Sequence, residues 1–178
     1  MRILFLGDIV GRDARDAVTS QLADIRREYK IDAVIVNAEN AAHGFGVTAQ
    51  ICDDLYKAGV DCITTGNHVW DQREIMAYID SAPRLLRPVN FPEGTPGRGA
   101  SIIETARGHK ILVVNAMARL FMDAMDDPFA AMDKLCKAYR LGKDVQAIFL
   151  DFHGEATSEK MAMGHFLDGR ASFVVGTH

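Results

Sequence analysis

Five short apolar runs in this chain end in oxygen or nitrogen donors, and no other feature restricts the fold as tightly. Met1 to Gly7 leads into Asp8, and Ala33 to Ala38 leads into Glu39-Asn40. The third run, Asp61-Cys62-Ile63-Thr64-Thr65-Gly66, delivers Asn67 and His68. Ala147 to Leu150 leads into Asp151-Phe152-His153, and Ala171 to Gly176 into Thr177-His178. Brief apolar runs bounded by turn residues read as buried strands. In open α/β sheets the carboxyl ends of the strands are where ligands bind. The pattern therefore predicts a metal site assembled from strand tips.

Helical patterns alternate with these runs. Gly11 opens a helix through about Tyr29, with Val18, Leu22 and Ile25 on one face. Thr48 is the expected N-cap of a helix to about Ala58, and a further helix spans about Arg73 to Ile79, ahead of Pro83. From Arg84 to Gly99, Pro88, Pro92 and Pro96 with Gly94, Gly97 and Gly99 predict a long irregular connection. Ala100 to Thr105 and Lys110 to Asn115 then form a β-hairpin, which breaks the strand-helix alternation. Ala116 to Pro128 reads as irregular, with Met117, Phe121, Met122 and Met125 covering the core. Pro128 fits the first turn of a helix to about Leu141. A last helix runs from Ser158 to Asp168, capped by Thr157 or Ser158, before the final strand.

Composition narrows the class of partner. The 178 residues suit a single domain, and 48% hydrophobic with 25% charged content is that of a water-soluble globular chain. With 20 basic and 24 acidic residues the net charge is −4, which argues against a footprint for duplex nucleic acid. A small nucleotide or phosphodiester remains a suitable substrate once a cation supplies positive charge. No run approaches the ~18 apolar residues of a membrane span, and the N-terminus lacks a signal-peptide pattern, so no membrane partner and a cytoplasmic location are expected. Cys52, Cys62 and Cys136 form no zinc-binding pair and are expected as small buried hydrophobes.

The donors at the strand tips are a mixed set. Asp8, Glu39, Asn67, His153 and His178 combine carboxylate, amide and imidazole, which favours a first-row transition metal over calcium or magnesium. A carboxylate can bridge two cations, and a metal pair ~3.5–4 Å apart stabilises both attacking and leaving oxygens of a phosphoryl displacement. Glu39 is the bridging candidate, and His68, one residue past a ligand, is free to protonate a leaving alkoxide. Each donor also has a plainer role open to it: Asp8 as a helix cap, Asn67 as a turn residue, His153 and His178 as structural histidines. Their joint placement favours the metal site. His43, in the glycine loop that contains Gly44-Phe45-Gly46, reads as exposed or as part of a substrate rim. No Cys lies beside a His at a strand tip, and neither a G-x-S-x-G elbow nor a Walker loop is present.

Taken together, Gly7-Asp8-Ile9-Val10-Gly11, Asn37-Ala38-Glu39-Asn40, Thr65-Gly66-Asn67-His68-Val69-Trp70-Asp71, Asp151 through Lys160 and Val175-Gly176-Thr177-His178 carry a family likeness. The chain resembles the bacterial calcineurin-like metallophosphoesterases that act as 2′,3′-cyclic nucleotide phosphodiesterases. That resemblance implies an α/β sandwich of two mixed β-sheets flanked by helices, with a dinuclear centre of iron or manganese, zinc being a further option. By position, Asp8, Glu39 and Asn40 would hold the first metal, and Glu39, Asn67, His153 and His178 the second. His68 matches the family's proton donor. The implied reaction is attack on phosphorus by a metal-activated hydroxide, with His68 protonating the departing sugar oxygen.

In the resembling family the last motif continues as Gly-Thr-His-Thr-His, and its second histidine ligates the first metal. Here the sequence stops at His178, so a chain truncated within that motif, with a weak or empty first site, is the expectation. Sheet edges exposed by such a truncation leave a homo-oligomer open. Two rival readings stand beside the phosphodiesterase: a phosphomonoesterase or nucleotidase, and a regulatory nucleotide-binding protein whose metal is structural.

Overall fold

In a computed structural model covering Met1–His178, the chain forms two four-stranded sheets packed face to face with helices outside. The first sheet holds β1 (Ile3–Leu6), β2 (Ala33–Asn37), β3 (Cys62–Thr64) and β4 (Leu85–Leu86), in that order and parallel throughout. Between them run α1 (Gly11–Glu28), α2 (Ala49–Ala58) and the short α3 (Ile75–Tyr78). The second sheet orders β5 (Ala100–Glu104), β6 (Lys110–Met117), β7 (Ala147–His153) and β8 (Phe173–Thr177). Here β5 and β6 are the antiparallel hairpin, whereas β6, β7 and β8 are parallel, joined through α4 (Pro128–Ala138) and α5 (Thr157–Phe166). Only this second sheet is mixed.

Period-two alternation along the strands sorts the side chains into layers. Val34 and Val36 of β2 and Ile63 of β3 face outward, where they pack with Leu22 of α1, Leu55 of α2 and Ile75 of α3. On the other side Leu112, Val114, Ile148 and Leu150 meet Met132 of α4 and Met163 of α5. The inward set, Ala33, Ile35, Cys62, Ile111, Val113, Ala147 and Phe149, fills the space between the sheets. Truncating a fully buried ring such as Phe149 to Ala typically costs about 3–5 kcal/mol.

Several local expectations hold in detail. Thr48 caps α2, its side chain accepting from the Ile51 N–H at 3.2 Å. Gly59 closes the same helix at φ 107°, a left-handed conformation that suits glycine. Asp127 accepts from the Phe129 and Ala130 N–H groups just ahead of Pro128.

Others are corrected. β1 is half-buried rather than buried, because it lies at a sheet edge. The connection after Arg84 contains the short strand β4. Neither Thr157 nor Ser158 caps α5, which starts after Ala156 without a side-chain cap. Met117 and Met125 do enter the core, but Phe121 stands 87% exposed, with φ 63°. Cys52 and Cys62 are fully buried, whereas Cys136 is only partly covered.

Candidate metal centre at the carboxyl edges of both sheets

Toward the carboxyl ends of the strands, the inward face changes from apolar to polar. Along β2, Ala33 and Ile35 give way to Asn37 and then Glu39; along β7, Ala147 and Phe149 give way to Asp151 and His153. Thr64, Asn115 and Thr177 complete the transition, and all seven of these polar side chains are buried. Buried polar groups persist only when hydrogen-bonded, and here the partners come largely from other strands. Asp151 accepts from Thr64 Oγ1 at 2.6 Å, Thr177 Oγ1 at 2.6 Å and Asn37 Nδ2 at 2.8 Å. The amide of Asn115 spans the gap the other way, accepting from the Thr65 N–H and donating to the Asp151 carbonyl, both at 3.2 Å. Burial raises the Asp151 carboxyl to about 6 even though the Thr177, Thr64 and Asn37 hydrogen bonds pull it down.

This network positions His153. The single proton of Thr177 Oγ1 points to Asp151, so the hydroxyl accepts from His153 Nδ1 at 3.1 Å. Nε2 is then left with its lone pair facing Asn67 Oδ1 at 2.8 Å and Glu39 Oε2 at 3.2 Å. Burial first, and His178 next, lower His153 to about 3, which keeps the imidazole neutral. Burial, followed by the charge of Asp8, raises Glu39 to about 8. The contact is therefore not an ion pair; both groups are driven toward their uncharged forms. Glu39 Oε2 is buried and has no hydrogen-bond partner. One imidazole nitrogen and two oxygens from two sheets thus converge, and the only proton available to them is the one that burial favours on Glu39. A cation placed among them would satisfy all three, so the donor set fits a metal.

Gly66 makes this convergence sterically feasible. A Cβ at that position would lie 2.0 Å from Glu39 Oε2 and 2.5 Å from the His153 ring. Only a residue without a side chain permits so close an approach.

The remaining expected donors are less converged. Asn40 directs its amide nitrogen to both Asp8 oxygens at 3.2 Å and to Glu39 Oε1 at 3.1 Å. A ligand role requires that amide turned so that its oxygen faces inward. Asp8 is half-buried, its carboxyl raised by burial, with backbone φ 31° in a region where non-glycine residues are uncommon. His178 stacks obliquely near His153, ring centroids 5.5 Å apart, but is exposed and directs Nε2 to Glu155 Oε2. Consequently no three His, Cys, Asp or Glu side chains are gathered closely enough to hold an ion by themselves. The converged group depends on the amide of Asn67.

His68 sits on a 3₁₀ turn, Asn67–Trp70, that follows β3, and its ring makes no hydrogen bond to the converged donors. Its Nδ1 lies 2.7 Å from Asp71 Oδ2, an interaction that directs Nδ1–H to the carboxylate and leaves Nε2 free to carry or release a second proton. Sequence reading missed Asp71 as this orienting partner, although its spacing three residues on, within one turn, was visible. It also missed Asn37, Thr64, Asn115 and Thr177 as supports; for Asn37 and Thr177 the visible signal was the two-residue offset that puts them on the inward face.

Residues 4–178 match the model of the family described as YmdB-like protein. The chain belongs to the YmdB-like family. A Bacillus subtilis (strain 168) protein named 2′,3′-cyclic-nucleotide 2′-phosphodiesterase is 49% identical over all 178 residues. This YmdB-like chain spans 66% of that relative's length, just under two thirds. The crystal structure of a hypothetical protein from Thermus thermophilus is 45% identical and superposes with a TM-score of 0.90, covering 100% of this chain and 68% of that one. A structure described as a novel phosphatase from Mycoplasma pneumoniae is 33% identical with a TM-score of 0.88, covering 99% of this chain and 63% of that one. Both share the two-sheet α/β architecture.

Proposed function

We propose that this chain carries the catalytic centre of a metal-dependent phosphodiesterase acting on 2′,3′-cyclic nucleotides. The observation that carries the reading is the convergence of His153 Nε2, Asn67 Oδ1 and the unpartnered Glu39 Oε2. Asp8, Glu39 and Asn40 would hold one ion, and Glu39, Asn67, His153 and His178 a second, with iron or manganese the suited metals. Bound there, such ions supply an activated water nucleophile and positive charge against the phosphoryl oxygens. The protein's own contribution lies in placement. His153 is locked by the Thr177–Asp151 chain, and Glu39 is held in a pocket that Gly66 leaves open. His68, held by Asp71 at Nδ1, would act as the imidazolium, passing its second proton from Nε2 to the departing sugar oxygen and remaining as the neutral Nδ1–H ring.

The name of the Bacillus subtilis relative supports the cyclic nucleotide as substrate. Description of the Mycoplasma pneumoniae structure as a phosphatase supports the competing monoesterase reading. Assays of 2′,3′-cyclic AMP beside a nucleoside monophosphate and an aryl phosphodiester separate the two. Turnover of the cyclic diester with little release from the monoester upholds the proposal; the reverse order overturns it. The chain has no helix long and apolar enough to cross a membrane, which fits a cytoplasmic enzyme with a small nucleotide as its partner.

A further inference from the structure

The glycine loop that follows Glu39-Asn40 has no part in the metal chemistry, yet its backbone is tightly specified. His43, Gly44 and Gly46 all have positive φ, at 57°, 91° and 79°. The Gly44 N–H bonds to the Asn40 carbonyl, Phe45 N–H to Ala42, and Ala42 N–H to Gly46. Ala41, Ala42 and Val47 anchor the loop in the core. From the other side, Gln72 Nε2 donates to the Phe45 carbonyl at 2.7 Å, and a Cβ at Gly46 would lie 3.0 Å from the His68 carbonyl oxygen. This frame presents a single large apolar side chain to solvent. Phe45 is 58% exposed, and its ring meets the His68 imidazole edge-on, with centroids 5.2 Å apart.

We propose that Phe45 is the specificity-determining residue that stacks against the nucleobase of the substrate. The proposal rests on the cyclic-nucleotide reading of the site, and the chemistry of that substrate gives the distance argument. His68 serves the sugar oxygen that leaves phosphorus. In a 2′,3′-cyclic nucleotide cleaved at the 2′ position, the carbon bearing that oxygen adjoins the carbon bearing the base. An aromatic ring touching His68 is therefore within reach of the base. Every base offers a π-face, so a phenyl platform binds purines and pyrimidines without selecting one. The loop backbone beneath the ring is hydrogen-bonded before the substrate arrives, which reduces the ordering cost of binding. Covering it with a base also removes exposed apolar area from water.

The test compares two substrates on the metal-loaded full chain: 2′,3′-cyclic AMP, and ribose 2,3-cyclic phosphate, which has no base. In the wild type the base-bearing compound has the higher kcat/KM. Phe45→Ala and Phe45→Leu are expected to cut that preference by about ten- to hundredfold, mainly through KM, in line with one lost base–aromatic stack. Leu keeps the apolar bulk without the π-face, and Phe45→Trp restores the preference. An equal loss on both substrates, accompanied by a shifted pH profile of kcat, would assign the ring to holding His68 and overturn the proposal. An unchanged preference overturns it as well. A wild type that hydrolyses nucleoside monophosphates but neither cyclic compound removes the phosphodiesterase reading itself, and this inference with it.

Discussion

Thr177 donates its hydroxyl to Asp151 at 2.6 Å, and the same oxygen receives His153 Nδ1 at 3.1 Å. Adjacent strands of one sheet thus set the tautomer of a histidine that faces the other sheet. Replacing Thr177 by Val keeps the shape and removes the acceptor. Metal affinity is expected to fall about 10–100-fold, the usual effect of losing a partner behind a metal-bound imidazole. Titration against a competing chelator dye measures the change.

Asp151 is fully buried and accepts three side-chain hydrogen bonds. Asp151→Ala strands Asn37, Thr64 and Thr177 together and leaves a void. A stability loss of roughly 2–4 kcal/mol is expected from unsatisfied buried donors. The urea midpoint of the metal-free protein reads it directly, and Asp151→Asn, which keeps part of the acceptor set, should lose less.

Gly66→Ala forces a methyl into the space between Glu39 and His153. Overpacking of this kind typically costs about 1–3 kcal/mol, and here the displaced groups are the converged side chains proposed to hold metal. The variant should fold with a lowered melting temperature and fail to retain metal through gel filtration, whereas the wild type retains it.

His68→Ala is expected to lower kcat by about 10²–10⁴-fold, the range of a general acid. Metal content should stay unchanged, since the only side-chain hydrogen bond of the ring is to Asp71 and not to the converged donors. Asp71→Asn, which weakens the tautomer's anchor, should lower kcat less and shift its pH profile. Elemental analysis alongside steady-state kinetics separates this outcome from loss of the metal.

Thiol chemistry offers a check on the core. Burial raises all three cysteines above the ordinary thiol range, and a raised value disfavours the reactive thiolate at neutral pH. Cys136 is only partly buried, so iodoacetamide should label it first and faster as the pH rises. Mass spectrometry should find Cys52 and Cys62 unmodified until the chain unfolds.

Legibility followed the range of the interactions. The placement of Asp8, Glu39, Asn67 and His153 at strand tips could be read from sequence because each sits just after, or at the end of, an apolar run, a purely local signal. The partners of the supporting side chains could not. Asn37, Asn115 and Thr177 act on residues from other strands, and nothing local says which strands become neighbours. Edge position is likewise a property of the sheet, which is why β1 reads as buried yet is half-covered. Phe121 misled because an apolar residue in an irregular segment carries no period to show which way it points. His178 does follow β8 as expected, but its ring turns to Glu155, a choice made by two neighbouring side chains rather than by the strand.

The meeting of Glu39 with His153 also bears on how the protein holds together. Glu39 follows β2 in the parallel sheet, and His153 ends β7 in the mixed one. An ion shared by these residues would rivet one layer to the other at the rim, a reversible counterpart of a covalent cross-link. Chelation should then open the sandwich from its carboxyl edge inward, with amide exchange quickening at Asn67 and Thr177 before it reaches Ile35 and Val113. In such a molecule the occupant of the site is part of the scaffold, and the melting temperature becomes a measure of how much metal is available.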